Sequence, residues 1–584
     1  MHDFTLRVAG ESGEGVITIA ETIARIAARE GLQLVTFRTF PAEIKGGACM
    51  MQVRLSDRKI SYHGEKVDCL VVLNQFALED NVADLNPNGV LLCEAECDAP
   101  EGTFAVHKIP FERIAVREIG SRISKNIVVL GVLAHLLGIP RKSVEDFLAE
   151  KFAKKSKAIL DHNMLALGKG IHFAEEHVAK REGFGFPKGS HQRQLLMTGN
   201  EAIALGAAGA GLQCFFGYPI TPASEIMEWL AAHLPKLGGK VMQTEDEISA
   251  ICAVAGASWA GAKAMTSTSG PGVSLMSEAL GLLSMAEIPA VIVDSQRGGP
   301  STGLPTKTEQ SDLLLALYGS HGDAPRVVLA PTSVADCLTL IGRAFYLSET
   351  YQMPVIVLVD QALSARVETV DPALLDHLPQ AARLKAENGD GGFARYRLNG
   401  SISPTALPGV PGCEHMVTGM EHDEFGNFAC DDATHTAMTV KRFQKLAEIG
   451  TDPKMRDSCL AFGDEKAEIG IVTWGSTAGP VEEAVRIAAE TGFSVRALVP
   501  RLLNPLPHAE LERFFRQVKR VIVPELNFTG QLASVLRSVY RVPTIGLAKV
   551  KGVPMDPSEI VAKIAEAAAG LASTRSAEHG RRAG

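Results

Sequence analysis

The stretch Cys214-Phe215-Phe216-Gly217-Tyr218-Pro219-Ile220-Thr221-Pro222 reads as a short apolar strand that stops at a proline-bracketed turn. A helical pattern, Ile226, Met227 and Leu230, begins directly after it. Strand, tight turn and helix in immediate succession are the unit of an open α/β sheet, whose ligands sit in the crevice beyond the carboxyl ends of the strands. Thr221 is expected to be the N-cap of that helix, with Pro222 at its first position. Its hydroxyl would then face the crevice; an ordinary N-cap without a ligand is the competing account.

The same alternation of buried strand and helix runs outward in both directions. Downstream it includes Pro289–Ser295, Val327–Ala330 and Pro354–Asp360, and it resumes from Glu468 to Trp474 with strands near Val495–Val499, Val521–Val523 and Thr544–Leu547. Upstream, an apolar strand near Phe4–Val8 meets the glycine turn Gly10-Glu11-Ser12-Gly13-Glu14-Gly15 and a helix carrying Val16, Ile19, Ala20, Ile23 and Ala27 on one face, a βαβ opening. The expected fold class is α/β, three successive domains with mostly parallel sheets. Their bounds are read as 1–185, 190–380 and 467–572, with an irregular excursion or lid at 381–466 and a polar tail at 573–584.

Composition narrows the function. The 584 residues include 58 Lys plus Arg against 67 Asp plus Glu, and the net charge of −9 offers no basic footprint for nucleic acid or an anionic membrane. Ten cysteines without a CxxC pair argue against a disulfide framework and for a reducing, cytoplasmic compartment. They also make a zinc or iron–sulfur site on this chain an unfavoured reading. The charge-free run between Glu201 and Glu225 is long enough for a membrane span, yet Gly206, Gly209, Gly211, Gly217, Pro219 and Pro222 break it.

Two familiar phosphate motifs fail. Gly10–Gly15 is GxxGxG rather than GxGxxG, and Gly31–Phe37 lacks the acid that a dinucleotide site requires. Gly256 and Gly261 have the Walker A spacing, but Ala262-Lys263 follows. The first turn could still offer backbone N–H groups to an anion.

Two further strand-to-helix junctions carry chemistry. Gln243-Thr244-Glu245-Asp246-Glu247 opens a helix, and three acids there suit the macrodipole. Only small and apolar residues with one serine follow Glu247, so its carboxylate could face an apolar crevice. At the third junction, Asp294-Ser295-Gln296-Arg297-Gly298-Gly299-Pro300, an Arg released by a Gly-Gly turn is well shaped for bidentate carboxylate binding, a surface ion pair being the alternative. The cluster Glu421-His422-Asp423-Glu424 near His415 reads as a solvated charged lid rather than a metal site, and Cys214 and Cys252 read as core residues.

Taken together, GYPITPASE (217–225), the acid helix start at Glu247, TSTSGPG (266–272) and QRGGPSTGLPTKTEQSDLL (296–314) resemble the α subunit of 2-oxoacid:ferredoxin oxidoreductases. GESGEGV with FPAEIKGG (40–47) is similar to that family's γ domain, here fused in front, and ELNFTGQLA (525–533) resembles its transketolase-type C-terminal domain. The layout looks most like the two-subunit 2-oxoglutarate enzymes.

The resemblance implies oxidative decarboxylation of a 2-oxoacid on thiamine diphosphate, electron transfer to ferredoxin and acyl transfer to coenzyme A, with the reverse reaction fixing CO2. It places the diphosphate, Mg²⁺ and a [4Fe–4S] cluster on a β subunit, in an (αβ)2 heterotetramer. Carried over by motif, Glu247 contacts the aminopyrimidine ring as the catalytic residue, and Tyr218, Pro219 and Ile220 lie against the cofactor. Thr221 and Arg297 match the residues that hold the substrate 1-carboxylate, and Thr306 falls where a distal carboxylate could be met. Gly13, Gly15 and Lys45 become candidate coenzyme A contacts. Pyruvate or another 2-oxoacid is the alternative substrate, and a non-catalytic scaffold or coenzyme A-binding subunit is the alternative class.

Overall fold

The computed structural model describes residues 3–39, 47–181, 183–190, 192, 194–389 and 391–582, with side chains to 571. The chain forms two compact units, Met1–Met197 with Arg366–Pro372, and Thr198–Ala365 with Ala373–Gly584. The fold is α/β with three sheets in which most neighbouring strands are parallel.

The first unit is built on β1 (Asp3–Glu11), β2 (Gln33–Thr39), β3 (Ala48–Ser56), β4 (Val67–Val72), β5 (Leu85–Glu94), β6 (Ala105–Ile109) and β7 (Leu195–Thr198). A later strand, Val367–Val370, inserts between β2 and β7, giving the order β6-β5-β4-β1-β3-β2-(367–370)-β7. Phe4, Leu6 and Val8 alternate into a core shared with Ile19, Ile23 and Val128. The βαβ opening is present in modified form, because β3 lies between β1 and β2 and is antiparallel to both. Arg366–Pro372, which the sequence reading places within 190–380, thus joins the first unit. A four-residue apolar strand carries no sign of which sheet it will complete.

The second unit contains two sheets. The larger uses β8 (Cys214–Gly217), β9 (Lys240–Gln243), β10 (Ala264–Thr268), β11 (Ala290–Gln296), β12 (Val327–Leu329) and β13 (Pro354–Asp360), all parallel in the order β12-β13-β11-β10-β8-β9. Strands β11 and β13 are buried along their whole length, as expected of central parallel strands covered on both faces. After β14 (Val367–Val370), the smaller sheet is formed by β15 (Cys459–Gly463), β16 (Ile469–Val472), β17 (Val495–Pro500), β19 (Arg520–Glu525) and β20 (Ile545–Ala548), in the order β15-β17-β16-β19-β20. Between β17 and β19, β18 (Leu502–Asn504) crosses to pair antiparallel with β12, tying the two sheets together.

Residues 381–466 are irregular only in their first part, since the helix Asp432–Thr451 follows. Its buried face is polar: Lys441 Nζ donates to both oxygens of Glu287 at 2.5 and 2.7 Å, and Lys445 Nζ donates to Glu287 Oε2 at 2.6 Å. The two lysines hold the Glu287 carboxyl down to about 2 against a burial that pushes it up. Nor is the Glu421–Glu424 cluster solvated throughout, because His422 is fully buried against Tyr396 and Glu421 accepts from both terminal nitrogens of Arg442. Cys252 is exposed rather than in the core. Among the described residues no helix is long and apolar enough to cross a membrane, and the run from Glu201 to Glu225 divides between the helix Gly199–Gly209, β8 and a turn.

Candidate active site

Strand β8 has β9 on one side and β10 on the other, so the chain reverses its direction of travel across the sheet at this point. A crevice therefore opens beyond the carboxyl ends of β8 and β10, the place where open α/β sheets hold ligands. Tyr218, 42% exposed, and the exposed Pro219 lead into it, followed by half-buried Ile220 and exposed Thr221. The helix begins later than the prolines suggest. It spans Ser224–His233 with Ala223 as its N-cap, so Thr221 is not the cap; Ala223 and Ser224 still belong to the turn, their N–H groups donating to Ile220 O. The turn is held from below by Asn200 Nδ2, which donates to Pro222 O at 2.8 Å.

The structure separates the three acids of the second junction. Glu245 is exposed, and Asp246 is the N-cap of the helix Glu247–Trp259, its carboxylate accepting from Ser249 N–H at 2.7 Å. Glu247 is 6% exposed, and among the described residues its carboxylate has no hydrogen-bond partner. Room for it is made by Gly272, where a Cβ would stand 1.9 Å from Thr268 Oγ1, 2.7 Å from Glu247 Cγ and 3.0 Å from Glu247 Oε1. The TSTSGPG string thus ends in a glycine because a carboxylate and a hydroxyl occupy the space a side chain would need.

Arg297 leaves the end of β11 and is 8% exposed. Its Nη1 donates to Thr221 O at 2.7 Å, and its Nε is buried without a partner. The two residues expected to share a carboxylate are therefore in direct contact. Burial pushes the guanidinium below its usual value, opposed by the Asp312 carboxylate. The following loop closes on itself through Gly298 N–H to Lys307 O and Leu304 N–H to Gly298 O, and it carries half-buried Thr306. Thr306 is nine residues from Arg297 along this loop and makes no hydrogen bond among the described residues.

Several polar groups of the crevice escaped the sequence reading. Thr268, Ser269, Asp294 and Asp312 line the same region, and Asp294 is fully buried with neither carboxyl oxygen hydrogen-bonded. The visible signal was an acid ending the otherwise apolar run Ala290-Val291-Ile292-Val293. Gly13 and Gly15 lie in the first unit, both with positive φ, in a turn where Glu14 accepts from Glu11 N–H, Asn74 Nδ2 and Lys125 Nζ. Lys45 lies outside the described residues. Among the described residues no three His, Cys, Asp or Glu side chains are grouped to hold a metal ion.

Comparison with known proteins bears on this arrangement. Residues 205–442, which include the whole crevice up to Asp312, match the family described as "Pyruvate flavodoxin/ferredoxin oxidoreductase, thiamine diP-bdg". Residues 5–173 match "Pyruvate ferredoxin/flavodoxin oxidoreductase", and residues 467–560 match "Pyruvate:ferredoxin oxidoreductase core domain II". The 2-oxoglutarate oxidoreductase subunit KorA of Mycobacterium tuberculosis is 37% identical over 98% of this chain and 92% of its own. The chain belongs to the 2-oxoacid:ferredoxin oxidoreductase family. Within this family, the 2-oxoacid:ferredoxin oxidoreductase 2 subunit alpha of Aeropyrum pernix is 28% identical over 97% of both chains. A solved 2-oxoglutarate:ferredoxin oxidoreductase from Magnetococcus marinus, with 2-oxoglutarate, coenzyme A and succinyl-CoA bound, superposes with a TM-score of 0.92 at 41% identity, covering 97% of this chain and 99% of that one. As a 2-oxoacid:ferredoxin oxidoreductase chain of the α-subunit kind, this protein is an oxidoreductase component.

Proposed function

We propose that the chain is the α subunit of a 2-oxoglutarate:ferredoxin oxidoreductase, which converts 2-oxoglutarate, coenzyme A and oxidised ferredoxin into succinyl-CoA, CO2 and reduced ferredoxin, and in reverse fixes CO2. The observation that carries this reading is the buried Arg297, donating to Thr221 O across the crevice that Glu247 enters, in a chain that superposes over 97% of its length on a 2-oxoglutarate enzyme. The buried carboxylate of Glu247, without a hydrogen-bond partner among the described residues and given room by Gly272, fits a heterocycle with a ring nitrogen to be hydrogen-bonded. Thiamine diphosphate, when bound, supplies the electron sink for loss of CO2 from a 2-oxoacid.

In this proposal Glu247 holds a proton at the aminopyrimidine ring nitrogen and so favours the tautomer whose neighbouring nitrogen can act as a base. Arg297 neutralises the substrate 1-carboxylate, with the Thr221 hydroxyl beside it. Tyr218, Pro219 and Ile220 cover the cofactor from solvent. A β subunit holds the diphosphate, its Mg²⁺ and the [4Fe–4S] cluster in an (αβ)2 assembly. Coenzyme A is assigned to the first unit, with Gly13, Gly15 and Lys45 as contacts. The isolated chain is expected to be colourless and inactive and to copurify from its native source with a smaller β chain. Ferredoxin-coupled assays of that complex over a panel of 2-oxoacids test the substrate; an iron–sulfur spectrum from the pure chain, or preference for pyruvate, contradicts the proposal.

Thr306 supplies a sharper test of substrate choice. Thr306→Val keeps the shape and removes the hydroxyl assigned to the distal carboxylate. It should cost 2-oxoglutarate about 1–3 kcal/mol in kcat/KM while leaving any pyruvate activity within about twofold. Equal losses for both acids would assign Thr306 to the architecture.

A further inference from the structure

Two carboxyl groups beside Arg297 have no task in the chemistry above. Asp294 is completely buried near the end of β11, and neither of its oxygens is hydrogen-bonded. Asp312 is the N-cap residue of the short helix Leu313–Tyr318, and its backbone N–H donates to Gln296 Oε1 at 3.1 Å. Residues 294 and 296 project to the same face of the strand, so that bond places Asp312 over the face Asp294 occupies. A Cβ on Gly270 would stand 2.6 Å from Asp312 Oδ2, while one on Gly272 would meet Glu247 at 2.7 Å. Thr268 is paired in register with Asp294 on the adjoining strand, and its hydroxyl and Glu247 both border the position of a Cβ on Gly272.

The charged groups around the pair come from three elements. Glu247 enters from the helix Glu247–Trp259, Arg297 and Glu309 from the loop after β11, and Asp360 from β13, where Thr308 and Gln310 donate to its carboxylate. Glu309 is held on that loop by Ser311 Oγ at 3.0 Å. Arg297 is thus one guanidinium set against the Asp312 carboxylate, which Glu309 also faces and which in turn acts on Asp294. In a crevice sheltered from water, so many carboxyls cannot all be ionised around one cation. The most enclosed of them retains a proton, and the next is poised to take one when the local positive charge is used elsewhere. Burial pushes Asp294 well above its usual value, with Asp312 adding to the effect. Burial also pushes Asp312 up to about 6, reinforced by Glu309 and opposed by Arg297.

We propose that Asp294 and Asp312 form a proton-sharing pair, and that a substrate carboxylate docking on Arg297 draws a second proton onto it, so that the 2-oxoacid and a proton bind together. The inference rests on Arg297 being the carboxylate-binding residue. An arriving anion cancels the positive charge that keeps Asp312 ionised, so Asp312 binds a proton from solvent and the net charge of the crevice stays constant. Both aspartates are positioning residues acting through Arg297.

The sign follows directly. Binding raises the proton affinity of Asp312, so carboxylate affinity is greatest at low pH and weakens as pH rises above about 6, approaching tenfold per pH unit until the bound-state value is passed. The test uses the copurified complex and glutarate, a dicarboxylate without the reactive carbonyl, titrated calorimetrically at pH 7 in buffers of different ionisation enthalpy. Uptake of a substantial fraction of one proton per glutarate is expected in the wild type, persisting in Asp294→Asn and abolished in Asp312→Asn while binding remains. Glutarate binding that is lost in Arg297→Ala but shows no proton uptake and a flat pH profile in the wild type would overturn the proton linkage alone. Equal uptake in wild type and Asp312→Asn would also overturn it. Glutarate affinity unchanged by Arg297→Ala would overturn the Arg297 assignment itself, and this proposal with it. The wild-type pH profile needs no variant, so misfolding of Asp312→Asn would not rescue the idea.

Discussion

Glu247→Gln is expected to lower turnover of the assembled enzyme by roughly 100-fold or more, without loss of thermal stability. The substitution preserves size and hydrogen-bonding reach but cannot hold or release a proton at a ring nitrogen. Nothing in the local fold depends on the charge. The helix is capped by Asp246, and the Glu247 carboxylate has no hydrogen bond to lose among the described residues. A carboxylate so buried and so unoccupied is costly to keep unless a ligand partners it. The check is single-turnover decarboxylation of a 2-oxoacid by the purified complex, alongside a melting curve. A loss of tenfold or less would move the proton-holding role away from Glu247. Exposed Glu245 would be the next residue to alter, although its place before the N-cap puts it outside the crevice wall.

Arg297→Ala should weaken every 2-oxoacid, because the 1-carboxylate is common to all of them. Removing one partner of a buried charge pair costs roughly 2–5 kcal/mol. The loss should appear in kcat/KM for 2-oxoglutarate and pyruvate alike, in contrast to the selective effect expected at Thr306. The bond from Arg297 Nη1 to Thr221 O disappears as well, so the turn at Tyr218–Pro222 loses one of its anchors, while that from Asn200 Nδ2 to Pro222 O stays. Arg297→Lys separates the two contributions. It keeps a positive charge but not the planar fork, and recovery of only a small part of the activity would show that paired donation matters beyond charge. Substrate-selective loss would place Arg297 at the distal end of the substrate instead.

The parts of this site that could be read in the sequence are those written in local chemistry. Prolines around Thr221 mark a turn wherever the chain goes, and Arg297 before two glycines marks an exit from a strand. What could not be read depends on contacts distant in sequence. Three consecutive acids at 245–247 are equivalent until the helix start is known to within one residue, and only then do exposure, capping and burial fall on Glu245, Asp246 and Glu247 in turn. The late helix start at Ser224 escaped for a related reason, since Thr221 has good capping chemistry but the turn uses two more residues. The helix Asp432–Thr451 was invisible because it lacks the apolar stripe that signals a core-facing helix. Its inward face instead carries Lys441, Arg442 and Lys445, whose partners Glu287 and Glu421 come from elsewhere in the chain. The placement of β3 between β1 and β2 likewise follows from pairing, and an apolar strand reads the same in either direction.

The insertion of β14 bears on how the protein comes off the ribosome. Until residues beyond 370 have emerged, β2 has a bare edge of unpaired backbone and β7 has no neighbour in its sheet. Two cross-links specific to that strand, Val367 N–H to Thr36 Oγ1 at 2.9 Å and Leu34 N–H to Thr369 Oγ1 at 3.1 Å, are also missing from a nascent chain that stops at residue 197. The earliest-synthesised unit is therefore among the last to be completed, and it closes only after β8 to β13 have been made. A fragment ending near residue 185 would expose the seven-residue edge Gln33–Thr39 and should self-associate, and adding a peptide spanning 366–372 should suppress that association.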